Sequence, residues 1–260
     1  MNQATDHITP IGTVLITGAS GGFGREFARR LEARGYALIL HGRNAEKLQS
    51  LRESLAHPEW HRCFAVDIGD TAGVNSLLGK LVDDTICGLV NNAGFGLWGG
   101  FADREVEEQL SVIRTDLCTP IALTHALLPQ LISQQGFVIN VSSLAGEYPL
   151  PYMSSYAAAK AGLSYWSEAL RIEMENRLRI VTLVPGPSPT GFRDISGMAS
   201  GPGSFFRTQP RIVIECALRT LDNGGGYCVP GWRHRLLWLL QKSIPRFIGL
   251  QIMAGKLRGN

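Results

Sequence analysis

The stretch Thr13-Val14-Leu15-Ile16-Thr17-Gly18-Ala19-Ser20-Gly21-Gly22-Phe23-Gly24 decides how this chain is read. A short aliphatic run passes directly into a glycine-rich turn, and a helix-length segment, Gly24 to Arg34, follows. Glycines at such a turn permit tight geometry and let the main chain approach a pyrophosphate, whose charge meets the N–H groups of the helix N-terminus. A second apolar run, Ala37 to His41, comes about twenty residues after the first, as a βαβ unit requires. The same glycines also satisfy G-x-S-x-G, the nucleophile elbow of esterases, with Ser20 as nucleophile. That elbow belongs after a middle strand whose predecessors feed an oxyanion hole. Here it follows the first strand, so the hydrolase reading is set aside.

Further apolar runs recur along the chain: Cys63 to Val66, Gly88 to Asn91, Phe137 to Val141, Ile180 to Val184, and Cys228 to Val229 as a seventh. They are nearly continuous rather than alternating, the pattern of strands buried on both faces of a parallel sheet. Helix-length segments lie between them: Asn44 to Leu55, Thr71 to Leu81, Arg104 to Ile132 and Tyr156 to Asn176. The alternation predicts an α/β fold, a single-domain Rossmann-type doubly wound parallel sheet of about seven strands, ending in an apolar and basic helical tail. Residues 1–231 form the dinucleotide-binding and catalytic part, with a lid over about 187–210, and 232–260 the tail.

Of the 260 residues, 45% are apolar and 18% charged, which suits a packed core and excludes disorder. A net charge of +3 without a dense Lys/Arg cluster gives no footprint for nucleic acid. The five cysteines are scattered with no C-x-x-C spacing, so neither a disulfide framework nor a zinc site is indicated, and buried free thiols are expected. His57 and His61 stand four residues apart, but Pro58 lies between them and no third ligand is evident; a polar loop, not a metal site, is expected. No secretory pattern opens the chain, and no run of about eighteen apolar residues occurs. The expected location is cytoplasmic, with peripheral membrane contact left open by the tail.

Taken together, Thr17-Gly-x-x-x-Gly22-x-Gly24, Asn91-Asn92-Ala93-Gly94, Ser143, Tyr156-x-x-x-Lys160 and Pro185-Gly186 resemble the short-chain dehydrogenase/reductase family, in order and spacing, over roughly Val14 to Thr190. The resemblance implies a nicotinamide-dependent oxidoreductase. It implies cofactor contacts from Thr17, Gly18, Ser20, Gly22, Phe23 and Gly24, from Asp67 and Ile68 at the adenine, and from Asn92, Ala93 and Gly94. Pro185, Gly186 and Thr190 match the segment at the nicotinamide, and a homodimer or homotetramer is expected.

Cofactor choice is read at the end of the second strand. An acidic residue there bonds a free 2′-hydroxyl and repels a 2′-phosphate. Here that position falls on Gly42, followed by Arg43, whose guanidinium can pair with the phosphate; NADP(H) is therefore favoured over NAD(H).

Tyr156 and Lys160 project from one face of a helix. A phenol titrates near pH 10, and a neighbouring ammonium favours the phenolate, so Lys160 is expected to lower Tyr156. Tyr156 then donates a proton during ketone reduction, Ser143 bonds the carbonyl oxygen, and Lys160 holds the nicotinamide ribose. Asp116 occupies the position where the family usually carries Asn, which leaves two roles for it: backbone geometry around a water, or a carboxylate that alters proton supply.

The tail sets Leu236-Leu237-Trp238-Leu239-Leu240 and Phe247-Ile248-Gly249-Leu250 among basic residues, divided at Pro245. It reads as a flap over an apolar pocket or subunit partner, a membrane-surface contact, or a docking patch for an acidic carrier protein. Trp98, Tyr148, Tyr152, Phe192, Phe205 and Phe206 point to an apolar ketone, aldehyde or secondary alcohol, with a 3-oxoacyl thioester in that set. A non-catalytic nucleotide-sensing or scaffold protein on the same fold is the alternative.

Overall fold

The protein is described by a computed structural model over residues 9–197, 207–243 and 250–251. Among these residues seven strands form one sheet in the order β3-β2-β1-β4-β5-β6-β7. They are β1 (Thr13–Ile16), β2 (Ala37–Gly42), β3 (Arg62–Ala65), β4 (Ile86–Asn91), β5 (Phe137–Val141), β6 (Arg179–Leu183) and β7 (Gly226–Cys228). Every neighbouring pair is parallel. The helices are α1 (Gly22–Glu32), α2 (Ala45–Glu53), α3 (Thr71–Gly79), α4 (Val106–Ile113), α5 (Thr119–Ser133), α6 (Ser154–Glu173), α7 (Phe192–Ser196), α8 (Pro210–Asp222) and α9 (Trp232–Ser243).

Period-two alternation sends successive strand residues to opposite faces. Val14, Ile16, Leu38 and Leu40 therefore pack with Phe27, Leu31 and Val213 from α1 and α8. Leu15 and Ile39, from the same strands, pack with Leu77, Leu123 and Leu127 from α3 and α5. A layer on each face is why these strands read as unbroken apolar runs. At the edge, β3 departs from that pattern: Arg62 and Ala65 are exposed.

The expected helix over Arg104 to Ile132 is two helices joined by a π-helical turn, Arg114–Cys118, where the Thr119 N–H bonds the Arg114 carbonyl five residues back. Periodicity cannot register one extra residue in a turn, and π turns gather at functional sites. The seventh strand begins two residues earlier than its apolar pair suggested. Helix α8 follows directly on the Pro/Gly/Ser-rich stretch, with Pro210 in its first turn. Phe205, Phe206, Pro245 and the Phe247 to Gly249 stretch lie outside the described residues.

All five cysteines are free thiols, but only Cys228 is buried; Cys63, Cys87 and Cys216 are half-buried and Cys118 is exposed, and the fold brings the Sγ atoms of Cys216 and Cys228 within 2.6 Å. No group of three metal-ligating side chains exists among the described residues. His61 is a buried structural residue instead of part of a polar loop. Its Nε2 lies 3.0 Å from Glu32 Oε1, and its Nδ1 accepts from the Leu38 N–H at 3.1 Å. Glu32 Oε1 also accepts from the His57 N–H at 2.8 Å.

Burial pushes the Glu32 carboxyl up, but the bonds from His61 and from the His57 and Ala56 main chain outweigh it and hold the group below 4.5. A depressed carboxylate contributes stability above its unfolded pKa and loses it as pH falls through the folded value. Chemical denaturation of Glu32→Gln should thus show a loss of roughly 1–3 kcal/mol at pH 7. The deficit should shrink below pH 4.5, where wild type loses the same contribution.

Candidate active site

The ends of β1, β4, β5 and β6 converge where the strand order reverses, β1 lying between β2 and β4. The glycine loop is docked there by the Ala19 N–H on the His41 carbonyl at 2.8 Å. Three of its glycines are required by space. Gly18 has φ +62°, and a Cβ on it would stand 2.9 Å from Ala93 Cα. A Cβ on Gly22 would meet Thr190 Cα at 2.7 Å, and one on Gly24 the Gly18 carbonyl oxygen at 2.3 Å. Gly21 precedes α1 with no side-chain cap, so its first N–H groups face the loop without a competing side-chain acceptor. A pyrophosphate fits this cradle by the chemistry of its donors.

The motif residues do different work from one another. Thr17 Oγ1 accepts from the Asn92 and Ala93 N–H groups, both at 3.0 Å, and Asn92 Nδ2 donates to the carbonyls of Thr17 and Gly18 at 2.9 and 3.0 Å. These bonds lash the end of β4 to the loop, so Thr17 and Asn92 shape the cradle. Ser20 Oγ lies beside Gly42, and Arg43 is exposed just beyond it. The Phe23 side chain packs against the core on one face of the sheet, and the Ile68 side chain is buried in the core on the other. Asp67 is exposed, its Oδ1 accepting from the Gly69 N–H at 2.9 Å. Pro185 O accepts from the Leu144 N–H at 3.0 Å, joining the ends of β6 and β5.

Ser143, Tyr156, Lys160 and Asp116 come together. Ser143 closes β5 and is hydrogen-bonded to the Tyr156 phenol. Lys160 is buried one turn further along α6, its Nζ donating to the Val141 carbonyl at 2.9 Å and lying 3.1 Å from Asp116 Oδ2. The π turn delivers Asp116 to this point fully buried, and its Oδ1 accepts from the Phe95 N–H at 2.9 Å. Gly94 leaves the necessary room, since a Cβ there would be 2.8 Å from Asp116 Oδ2.

Burial raises the Asp116 carboxyl, against the pull of Lys160 and the Phe95 N–H. Burial and then the Asp116 charge push Tyr156 well above 10, with only the Ser143 bond opposing. The expected lowering by Lys160 is therefore reversed in the protein alone. Asp116 offsets the ammonium that was to stabilise the phenolate.

An apolar cluster packs around the phenol. Phe95, Leu97, Trp98, Leu150 and Phe192 pack around Val112, Met153 and Tyr156, with the Phe192 and Tyr156 rings 5.2 Å apart. Helix α7 closes on it through the Trp98 N–H to Ser196 carbonyl bond at 2.9 Å. Sequence reasoning missed Glu147, Tyr227 and His234 beside the loops after β5 and β6. Glu147 accepts from Tyr227 Oη at 2.5 Å and from Trp238 Nε1 at 2.8 Å, which ties the loop after Ser143 to α9. His234, buried on the same helix, fills the space at Gly186, where a Cβ would meet its Cε1 at 2.4 Å. Only the apolar tail pattern pointed toward these contacts; Glu147 carried no signal.

Comparison with known proteins agrees with this layout. The family described as short chain dehydrogenase matches residues 12–197. Serine 3-dehydrogenase of Agrobacterium fabrum is 37% identical over 185 residues, covering 70% of this chain and 74% of that protein. Dehydrogenase/reductase SDR family member 7B of Bos taurus is 35% identical over 184 residues, 66% of this chain; the match spans 57% of the bovine protein's length. A solved short-chain dehydrogenase from Sphingobium yanoikuyae, in complex with NADPH, superposes with a TM-score of 0.80 at 26% identity, covering 90% of this chain and 93% of that one. With the family match running from the first strand through the glycine loop and the Tyr156 helix to α7, the chain belongs to the short-chain dehydrogenase/reductase family.

Proposed function

We propose that the protein is an NADP(H)-dependent oxidoreductase that reduces an apolar ketone or aldehyde, a 3-oxoacyl thioester falling within that class, or oxidises the matching secondary alcohol. The observation that carries this reading is the half-buried Ser143 gathered with the buried Tyr156, Lys160 and Asp116 beside an apolar cluster. Bound reduced nicotinamide supplies the hydride. Ser143 and Tyr156 donate hydrogen bonds to the substrate oxygen, and the phenol passes its proton to that oxygen as negative charge develops. A phenol held above its ordinary range keeps that proton throughout neutral pH, which suits reduction. Lys160, fixed between the Val141 carbonyl and Asp116, is placed to hold the nicotinamide ribose. Asp116 is a positioning residue that also sets the charge Tyr156 experiences. The apolar side chains beside the phenol exclude water and favour an apolar substrate.

Arg43, exposed beyond β2 next to Ser20 and Gly42, supports the choice of NADP(H). Val106 and Leu110 on α4, with Tyr165 and Ile172 on α6, are exposed large apolar side chains, and they support pairing of two chains through these helices. A nucleotide-binding scaffold would have no use for a buried ion pair aimed at a buried phenol, because uncompensated burial of charge is costly.

Three measurements test the reading. Tyr156→Phe removes only the proton donor, so NADPH affinity should hold while kcat on a verified ketone falls roughly 10²- to 10⁴-fold; turnover at the wild-type rate would reject the assignment. In fluorescence titrations Arg43→Ala should weaken NADPH by roughly 1.5–3 kcal/mol and leave NADH almost unchanged, whereas equal losses would mean that Arg43 does not read the 2′-phosphate. Asp116→Asn keeps an acceptor for the Phe95 N–H but removes a negative charge that raises Tyr156. The rise of alcohol oxidation with pH, which needs the phenolate, should therefore move to lower pH. An unmoved profile with altered kcat would reduce Asp116 to a packing role.

A further inference from the structure

Helix α9 has two faces with different partners. One is spent on the site: His234 is buried against Gly186, and Trp238 donates to Glu147 and stacks near Tyr227, ring centroids 5.7 Å apart. On the other face Trp232, Leu236 and Leu239, at i, i+4 and i+7, are 70%, 49% and 54% exposed. Arg233 and the exposed Arg235 flank this ridge, the Arg233 guanidinium lying over the Trp232 ring at 5.2 Å.

Charge is just as unevenly placed. Residues 232–260 hold six of the chain's 25 Lys and Arg and none of its 22 Asp and Glu, so the remainder of the chain is net negative. An apolar ridge containing Trp with basic residues at its sides is the composition of a helix lying in the plane of an anionic bilayer surface. Two copies pairing through this face would bring two cationic segments together, which opposes self-association here. No helix among the described residues is long and apolar enough to cross a membrane.

We infer that the outer face of α9 docks the protein on an anionic lipid surface, so that its apolar carbonyl substrate enters from the lipid. The docking stands on the helix alone; the substrate route rests on the catalytic reading above. One helix joins the two, because the side chains that brace the Ser143 and Gly186 loops are one face away from the side chains that would enter the headgroup region.

The test uses the full chain with vesicles of phosphatidylcholine, with and without phosphatidylglycerol. At low salt the protein should co-sediment with the anionic vesicles far more than with the neutral ones, and it should release as salt rises. A triple variant, Trp232→Ser with Leu236→Ser and Leu239→Ser, changes only exposed side chains; with an unaltered melting temperature, it should partition about tenfold less or weaker still. NADPH oxidation by the variant should be unchanged with a short water-soluble ketone and slower with a long-chain ketone carried in the vesicles. Wild-type protein remaining in the supernatant at low salt, or a folded variant sedimenting as well as wild type, overturns the docking. Equal rates for wild type and variant on the vesicle-borne ketone overturn the substrate route. Vesicle binding without NADPH oxidation on either ketone would instead refute the catalytic reading and leave the docking in place.

Discussion

The site depends on one buried ion pair. Lys160 and Asp116 are both almost wholly removed from water and sit 3.1 Å apart. Charges buried this deeply are tolerable only when each has a partner and further hydrogen bonds, which the Val141 carbonyl gives to the lysine and the Phe95 N–H to the aspartate. The pair imposes conditions on its surroundings. A π turn must break what would otherwise be one long helix, residue 94 must lack a Cβ, and Gly162 must leave room for Leu117 from the same turn. It also sets the charge beside Tyr156, whose phenol burial and then Asp116 hold above its ordinary range.

The pair is held in register by a polar seam through the middle of the sheet. Asn91 Nδ2 donates to Thr124 Oγ1 and Asn140 Oδ1, Asn140 Nδ2 to Ser167 Oγ, and Thr182 Oγ1 to the same hydroxyl. Ser142 Oγ adds a bond to the Lys160 carbonyl at 2.8 Å. Apolar side chains would fill the same volume but would accept α6 in several registers. The directional bonds of a core network accept one. Helix α6 is thereby indexed to the strand ends that carry Ser143 and Asn92.

Helix α9 reaches the site from the far end of the chain. Its braces at Glu147 and Gly186 act on the loops after β5 and β6, so a segment that composition alone sets apart as a tail is bonded into the site. It leaves an apolar ridge of Trp232, Leu236 and Leu239 on its outer face, opposite to the side that braces the loops.

The local sequence was sufficient for whatever depends on short-range geometry. Aliphatic runs at regular intervals announced the parallel sheet, and Gly18, Gly22 and Gly24 announced the cradle, because a turn that tolerates no Cβ is written directly in residue type. The spacing of Tyr156 and Lys160 put them on one helical face for the same reason. What it could not contain was any effect arising from side chains distant in the chain. The direction of the Tyr156 shift turned on Asp116, forty residues earlier and carried inward by a π turn that hydropathy does not register. His61 looked like a loop residue until Glu32 and the Leu38 N–H were found around it. Glu147 meets Trp238 only after the sheet has closed and α9 has folded back over it. Backbone conformation is a local property and was legible; burial and charge pairing belong to the assembled core, and only the tertiary structure decided them.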